Sequence, residues 1–502
     1  LNTLARRYRS ALKQFGIGSA VAGLTLGVSF ATQAAPVQYP LFIANPVKPI
    51  MMLNMSKDHQ LFYKLYDDYS DIIDMRTTLP NSSAASSVTS SSSSSSAASN
   101  PNYGKSGKDG VADTTYRHVF RYYGYFDSDK CYTYASNLFT PSRFVNSSTR
   151  YCNYGSVTNE WSGNFLNWAT MTRLDAVRKI LYGGKRAVDS ESETVLERSY
   201  LPEDAHAFAK YYNGTDIRSL TPFTTATGGV NDKTSGITIC NTTSPATRNQ
   251  KSQDVSANSS IHPLLKVAKG NFSLWGSNEG YQCRWGVGSN NNVEADTGIK
   301  AYPASPVLAN DKLGNGDYSV RVKVCVPGLM NDANEEGCKR YDSGHSKPIG
   351  LLQEYGERDT IHFALLTGSY GNNKSGGALR KNVGTMTDEI DLTTGQIINP
   401  YRNPSNTSLG RKDSIIRTLN ALTIYGYDHN NGQYNNSDNC PWGLSSFTNG
   451  SCTNWGNPQS EIYLESLRYL AGRSASFAVD DSSKISGLAT ATWAAPVGEN
   501  NY

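Results

Sequence analysis

The sequence predicts an α/β fold that carries large insertions, and three observations lead to this prediction. Two short apolar runs, Ile50–Leu53 and Thr360–Thr367, have the length and composition of buried strands. Three segments with a helical spacing of apolar residues lie between and after these runs. Strands that alternate with helices favour a sheet covered by helices. The connections between the elements are much longer than a compact domain needs, so we interpret them as insertions on an α/β scaffold.

The first 34 residues have the pattern of a signal peptide. Basic residues between positions 6 and 13 precede the apolar stretch Phe15–Phe30, and small residues allow cleavage after Ala34. The apolar stretch is short and rich in glycine, which favours a signal peptide over a membrane anchor. No later segment is apolar enough to span a membrane. We therefore expect residues 35–502 to be exported without an integral membrane segment.

The charge and the cysteines narrow the functional classes. A net charge of +4 over 502 residues gives no reason to expect a nucleic-acid partner. The eight cysteines fall into four pairs in which each cysteine is followed by its partner as the next cysteine along the chain. An exported protein can keep such pairs as disulfides. Sequence alone cannot fix connectivity, but this spacing favours four local bridges. The expected pairs are Cys131 with Cys152, Cys240 with Cys283, Cys325 with Cys338, and Cys440 with Cys452.

The first predicted helix covers Asn164–Leu181. Leu174, Val177 and Leu181 lie on one face at helical spacing, and Gly183 and the glycine after it should end the helix. This helix lies between two irregular regions. Residues 75–107 are a serine-rich insert that is expected to be disordered, because it cannot bury enough apolar surface. Residues 185–355 have little periodicity and should form a large insertion of loops and short strands.

Two further helices and a turn are predicted near the end of the chain. Asp413 is a suitable N-cap for a helix whose apolar stripe contains Ile415, Leu419 and Leu422. The segment Ser460–Leu470 should form the third helix. Its apolar residues Tyr463, Leu467 and Leu470 share one face. The alternating residues that follow the second strand predict a hairpin with its turn at 393–395.

Aromatic residues are concentrated in "YRHVFRYYGYFDSDKCYTY", which begins at Tyr116. Exposed tyrosine clusters suit contacts with proteins or glycans. The alternative, which we favour, is ordinary packing inside an insertion held by a disulfide.

Four segments resemble the N-terminal half of the PilC/PilY proteins, which are type IV pilus biogenesis factors and pilus-tip adhesins. The segments are "YYGYFDSDKCYTY" (Tyr122–Tyr134), "MTRLDAVRKILYGG" (Met171–Gly184), "LERSYLPEDAHAFAKYY" (Leu196–Tyr212) and "NPQSEIYLESLRYLAG" (Asn457–Gly472). The resemblance covers nearly all of the chain after the signal peptide. It implies a von Willebrand factor A-like, Rossmann-type sheet with large insertions.

The resemblance also implies what this sequence lacks. In the family, the C-terminal half is a β-propeller that can hold calcium. This sequence ends at "TWAAPVGENNY", before the later strands of an A-type domain. We therefore expect a sheet that is incomplete at its C-terminus and no propeller. Either a fragment or a truncated gene product would explain this, and propeller functions are not carried over.

The resemblance implies a candidate cation site after the first strand. In A-type domains this strand ends in Asp-x-Ser-x-Ser, whose oxygens bind a divalent cation. Here the corresponding residues are Asn54, Ser56 and Asp58, so an amide replaces the leading carboxylate. An amide oxygen brings no charge and binds such a cation more weakly. We expect a degenerate, metal-free site. The alternative is a rearranged Mg²⁺ or Ca²⁺ site in which Asp58 supplies the charge.

A second acidic region flanks the serine-rich insert. Carboxylates before and after the insert would have to close into one loop to hold calcium, because a calcium loop needs its ligands at tight spacing. We favour a solvated acidic turn, and a calcium loop is the alternative. The residues concerned are Asp68, Asp71, Asp74, Asp109 and Asp113.

The sequence contains no motif of a known catalytic type. GxSxG, HExxH and a phosphate-binding glycine loop are all missing, and the seven histidines are scattered. We therefore expect no enzymatic activity. The resemblance implies a protein of the periplasm and then the pilus tip, acting in pilus assembly, twitching motility and adhesion. Its partners would be minor pilins and a host or abiotic surface. The alternative is a secreted lectin-like or matrix-binding adhesin that acts independently of pili.

Overall fold

The computed structural model describes the chain from Lys48 to residue 496 with several gaps. The described residues are 48–67, 115–145, 149–224, 235–243, 262–276, 282–287, 292–293, 307–330, 336–398, 413–427, 434, 438–440, 448–476, 481, 484–485, 488 and 490–496. Three predicted features lie outside these residues. They are the signal peptide at 1–34, the serine-rich insert at 75–107, and the acidic residues Asp68, Asp71, Asp74, Asp109 and Asp113.

The described chain is a mixed α/β structure with several sheets. Its strands are β1 (Ile50–Met55), β2 (Lys130–Ala135), β3 (Leu138–Phe144), β4 (Trp161–Ser162), β5 (Arg186–Asp189), β6 (Thr194–Glu197), β7 (Phe208–Tyr212), β8 (Ile237–Thr242), β9 (Leu264–Lys269), β10 (Gly286–Val287), β11 (Asn292–Val293), β12 (Lys312–Ser319), β13 (Arg321–Val324), β14 (Cys338–Arg340), β15 (Ser346–Pro348), β16 (His362–Gly368) and β17 (Gly377–Gly384).

The helices are short. They are α1 (Gly163–Thr170), α2 (Arg173–Tyr182), α3 (Ile217–Leu220), α4 (Leu351–Gly356), α5 (Ile415–Ala421) and α6 (Gln459–Leu470), with 3₁₀ turns at His59–Phe62, Ser273–Gly276 and Ala309–Asp311. Within the described part of the chain, none of the helices is both long enough and apolar enough to cross a membrane.

A three-stranded sheet joins the two strands that the sequence predicts. β1 pairs in parallel with β16, so that Met55 lies opposite Thr367, and β17 pairs with β16 in the antiparallel direction. β1 extends two residues beyond the predicted strand. The parallel pair requires a long crossover, and everything between residues 56 and 361 belongs to it. The predicted turn at 393–395 lies inside a small loop closed by a bridge between Ile390 and Ile397.

The crossover folds into sheets of its own. Within the described residues, one sheet has six strands in the order β4-β2-β3-β13-β6-β5, and another has four antiparallel strands in the order β12-β9-β8-β7. The region predicted as loops and short strands, 185–355, supplies strands to both sheets. The aromatic segment that begins at Tyr116 packs in the core, because Tyr122, Tyr125, Phe126 and Tyr132 are all buried. Packing is therefore the correct one of the two interpretations.

The prediction of a single helix over Asn164–Leu181 is wrong, because α1 and α2 are separate helices. Thr172 has an extended backbone and caps α2. Its hydroxyl accepts a hydrogen bond from the backbone N–H of Asp175, and the Asp175 carboxylate accepts one from the backbone N–H of Thr172. This capping box starts a new helix. As predicted, Gly183 ends α2, with a left-handed backbone at φ 84°.

Two further predictions need correction. Helix α5 is capped by Ser414 rather than Asp413, since the Ser414 hydroxyl accepts a hydrogen bond from the backbone N–H of Arg417 at 3.1 Å. In α6 two of the three apolar residues predicted to share the inner face point outwards, whereas Leu470 is partly buried against the core as predicted. Tyr463 is 58% exposed and Leu467 is 47% exposed. The helix instead buries residues that contact the sheet, and these are Ile462, Glu465, Ser466 and Tyr469.

All eight cysteines form disulfides. The pairs are Cys131–Cys152, Cys240–Cys283, Cys325–Cys338 and Cys440–Cys452. These are the four pairs that the spacing of the cysteines predicts. The bridges join residues 12 to 43 positions apart, and three of them have one cysteine on a strand, namely Cys131 on β2, Cys240 on β8 and Cys338 on β14. Such bridges stabilise chiefly by restricting the unfolded chain.

Candidate functional site

The carboxyl ends of the parallel strands β1 and β16 lie at one edge of the three-stranded sheet. Because the strands are parallel and in register, the loops that leave Met55 and Gly368 emerge side by side. In open α/β sheets, ligands bind outside the carboxyl ends of the strands. This edge is therefore the natural place to look for a functional site.

The predicted cation-binding residues make hydrogen bonds within the protein at this edge. Asn54 turns towards α6, where its side-chain oxygen accepts a hydrogen bond from the Ser466 hydroxyl. The Ser56 hydroxyl accepts from the backbone N–H of Asp58 at 2.9 Å. One Asp58 oxygen accepts from the backbone N–H of Gln60 at 2.9 Å and so caps the 3₁₀ turn that follows. An oxygen of each predicted residue is thus already used.

A buried ammonium group lies within the same motif. Lys57 stands between Ser56 and Asp58, is 2% exposed, and donates a hydrogen bond to the backbone carbonyl of Thr453. Its nitrogen also lies 5.0 Å from the centre of the Tyr370 ring. Burial lowers the pKa of Lys57 to about 8, although nearby carboxylates oppose this effect. Lys57 is therefore mostly charged at neutral pH.

A second buried cation is paired directly with a carboxylate. Arg380 and Asp481 form an ion pair in which both side chains are fully buried. Asp481 also accepts hydrogen bonds from the Ser369 hydroxyl at 2.7 Å and from the backbone N–H groups of Tyr370 and Gly371 at 3.0 and 2.8 Å. Burial alone would raise the pKa of Asp481, but Arg380 and these hydrogen bonds hold it below its usual value.

Asp438, which lies two residues before the Cys440–Cys452 bridge, completes the cluster. It accepts hydrogen bonds from the backbone N–H of Thr453 at 2.9 Å and from the Thr453 hydroxyl at 2.7 Å. Burial raises the pKa of Asp438 to about 6, and the hydrogen bonds from Thr453 oppose the shift. Lys57 and Asp438 thus bind the same residue. We call Lys57, Arg380, Asp438 and Asp481 the edge cluster.

The edge cluster makes a divalent cation a poor fit to the predicted site. One side-chain oxygen of each of Asn54, Ser56 and Asp58 already accepts a hydrogen bond, and a buried ammonium supplies positive charge next to Asp58. A divalent ion would have to displace these hydrogen bonds and tolerate repulsion from Lys57. The donor chemistry therefore favours the metal-free interpretation.

The sequence pattern does not identify most of the edge cluster. A lysine inside a motif that follows a buried strand is a usable signal for Lys57. Arg380 and Asp481 come together from positions about a hundred residues apart, which no local pattern reveals. Another group of potential ligands, Cys325, Glu336 and Cys338, is also not a metal site here, because its two sulfurs are bonded to each other.

Comparisons with known proteins match two separate parts of the chain to the same family. Residues 113–264 match the family model described as "PilY1 homolog, small alpha/beta domain", and residues 363–502 match the model described as "PilY1 homolog, second domain". Two similar proteins of Xylella fastidiosa are both described as a type IV pilus biogenesis factor PilY1 homolog. One is 29% identical over 432 residues, covering 84% of this chain and 24% of that protein.

The second is 29% identical over 385 residues, covering 72% of this chain and 26% of that protein. The chain therefore spans about a quarter of the length of these relatives. No solved structure matches it.

Proposed function

Because the chain belongs to the family of PilY1 homologs, we propose that it acts in type IV pilus assembly and surface adhesion through protein–protein recognition. The observation that carries this proposal is the pair of family matches, which follow one another along the chain at 113–264 and 363–502. Both similar proteins are described as type IV pilus biogenesis factors, and this supplies the connection with pilus biogenesis. The proposed role is recognition and involves no catalysis.

The proposed scaffold is a von Willebrand factor A-like sheet with insertions. The parallel pair β1 and β16, followed by antiparallel β17 and then by α5 and α6, supports this topology. The six-stranded and four-stranded sheets then belong to insertions in the crossover between β1 and β16. An experimental structure of a longer family member would test whether further parallel strands extend the sheet beyond β1.

The proposed location is the periplasm and then the pilus tip. Four disulfides and the pilus-biogenesis relatives support an exported protein. The partners in this proposal are minor pilins, with a host or abiotic surface as the adhesive target. Because a divalent cation fits poorly beside the edge cluster, we propose that recognition of these partners does not depend on Mg²⁺ or Ca²⁺.

The exposed face of α6 is the proposed contact with a minor pilin. Tyr463, Leu464 and Leu467 are between 47% and 58% exposed and lie within one turn of the same helix. Large exposed apolar side chains that are adjacent on one element are typical of protein interfaces. The opposite face of α6 packs on the sheet, so changes on this face should leave the fold intact.

Deletion of the gene, with complementation by variants, tests the proposal. Deletion should abolish surface pili and twitching, and the parent gene should restore both. Leu467→Glu should restore neither, whereas Leu392→Glu should restore both, because Leu392 is equally exposed at 47% on a loop far along the sequence. Normal piliation with lost attachment in the deletion strain would contradict the pilus role and favour an adhesin that acts independently of pili.

A further inference from the structure

Two histidine rings meet next to the edge cluster, and the proposed function does not use them. His59 begins the 3₁₀ turn after β1, and His206 lies just before β7. Nδ1 of His59 is 3.1 Å from Nε2 of His206. Backbone hydrogen bonds hold both residues, since the N–H of His59 donates to the Asn454 carbonyl at 3.0 Å and that of His206 donates to Asp204 at 2.8 Å.

A carboxylate lies behind each ring. Both oxygens of Asp204 are within 2.9 Å of Nδ1 of His206, which holds the ring proton on Nδ1 and leaves the lone pair of Nε2 facing His59. On the other side, Oδ1 of Asp58 is 3.9 Å from Nε2 of His59. A carboxylate that orients an imidazole as Asp204 does is typical of the surroundings of metal-binding histidines, whereas Asp58 is too distant for a hydrogen bond and contributes its charge alone.

Two imidazole nitrogens at this distance must share either a proton or an ion. Without an ion, His59 donates its Nδ1 proton to His206. With metal–nitrogen bonds of about 2.05 Å, the 3.1 Å separation gives an angle of about 98° at an ion. That angle suits tetrahedral and square-planar ions alike. An ion at this angle lies off the line that joins the two nitrogens, so each ring must turn by about 41° from the hydrogen-bonded orientation and one proton must be lost.

We propose that His59 and His206 bind a divalent transition-metal ion, such as Zn²⁺, Ni²⁺ or Cu²⁺, through Nδ1 and Nε2. Water completes the coordination. Asp58 and Asp204 balance the charge of the ion, and Lys57 is the nearby cation that opposes it. Imidazole ligands select these ions over Mg²⁺ and Ca²⁺, which prefer oxygen. The site is therefore chemically different from the oxygen-donor site predicted at Asn54.

Aromatic rings enclose the pair but leave it an opening. The rings of Tyr63 and Trp455 lie 5.3 and 5.5 Å from that of His59, between ring centres, and the Tyr434 hydroxyl is 3.5 Å from Nδ1 of His206. The side chain of His59 remains 13% exposed, so an ion can enter from that side. A bound ion would connect the loop after β1 to the segment before β7, which are 147 residues apart in sequence.

Calorimetry on the full chain, stripped with EDTA and free of a histidine tag, tests the proposal. Zn²⁺ should bind in a 1:1 ratio and raise the melting temperature, whereas Mg²⁺ should do neither. His206→Ala and His59→Ala should abolish this binding, and Asp204→Asn should weaken it by about 10- to 100-fold. His345→Ala is the matched control, because it removes another described histidine and should keep parent affinity.

Copper adds a readout that identifies the ligand atoms themselves. The electron paramagnetic resonance spectrum of the Cu²⁺-loaded parent should show coupling to two nitrogens, and that of His59→Ala should show fewer. The proposal is overturned if the parent binds no Zn²⁺ below about 1 mM, or if the folded single variants bind it as the parent does. Loss of binding in His345→Ala alone would also overturn it.

Discussion

Replacing Asp481 with asparagine should destabilise the protein strongly, because the change leaves a buried guanidinium without its counter-ion. Asp481 and Arg380 are both fully buried, and the carboxylate also accepts three hydrogen bonds from the 369–371 loop. Removing one partner of such a pair costs about 3–5 kcal/mol. An asparagine keeps only one acceptor oxygen, and its NH₂ group faces groups that donate.

Urea denaturation under non-reducing conditions, at neutral pH, measures this change in the free energy of unfolding. Asp359→Asn is the control, because the Lys48–Asp359 pair is partly exposed and should contribute no more than about 1 kcal/mol. A double-mutant cycle with Arg380→Met should show positive coupling, since removing both charges removes the unpaired one. A loss below about 1 kcal/mol for Asp481→Asn would refute the description of the edge cluster.

Acid should weaken the same pair. The folded-state pKa of Asp481 lies below the usual aspartate value, so its contribution to stability is present above about pH 4. As the pH falls further, the unfolded chain takes up the proton first and the contribution is lost. Asp481→Asn should therefore show a weaker dependence of stability on pH in this range than the parent does.

Three further predictions concern the same region and the helix that precedes the insertion. In the parent, the free energy of unfolding should rise by about 3 kcal/mol between about pH 8 and pH 10.5, because the unfolded chain still holds the lysine proton that the folded chain releases. Lys57→Met should remove this rise. The same dependence of unfolding free energy on pH in parent and variant would contradict the prediction. Gly183→Ala should cost at least about 2 kcal/mol, because its backbone is left-handed and a Cβ would lie 2.5 Å from the Pro348 carbonyl. Gly328 has a similar φ but open space around it, so Gly328→Ala should lose only the stability that the left-handed backbone costs. Equal losses of stability in the two variants would contradict the steric explanation. Adding Mg²⁺ or Ca²⁺ to the EDTA-treated chain should leave the melting temperature unchanged, and a clear rise that Asp58→Ala removes would restore the divalent site.

Local patterns predict the parts of this fold that local interactions determine. The two apolar strands pair with each other, the cysteines pair with their neighbours, and Gly183 ends its helix as expected. The break before α2 is missed because the apolar spacing continues through it, while the capping box of Thr172 and Asp175 decides where the new helix starts. The spacing of apolar residues contains no information about this cap, because polar side chains form it.

The orientation of α6 shows a different limit of prediction from sequence. Apolar residues occur on both sides of this helix, so the spacing alone supports either orientation. The polar contact between Ser466 and Asn54 accompanies the observed orientation, and it joins residues 412 positions apart. The edge cluster and the histidine pair are missed for the same reason, because each is assembled from chain segments whose proximity only the tertiary fold creates.

The most direct test of the proposed role is to ask whether the protein is part of the pilus. Pili sheared from cells that express the parent, Leu467→Glu or Leu392→Glu can be probed with an antibody against the chain. The parent and Leu392→Glu proteins should be found with the sheared pili, and Leu467→Glu should be exported but missing from them. Parent protein that is released into the medium in equal amounts with and without pili, and never found in the pilus fraction, would contradict the proposed function.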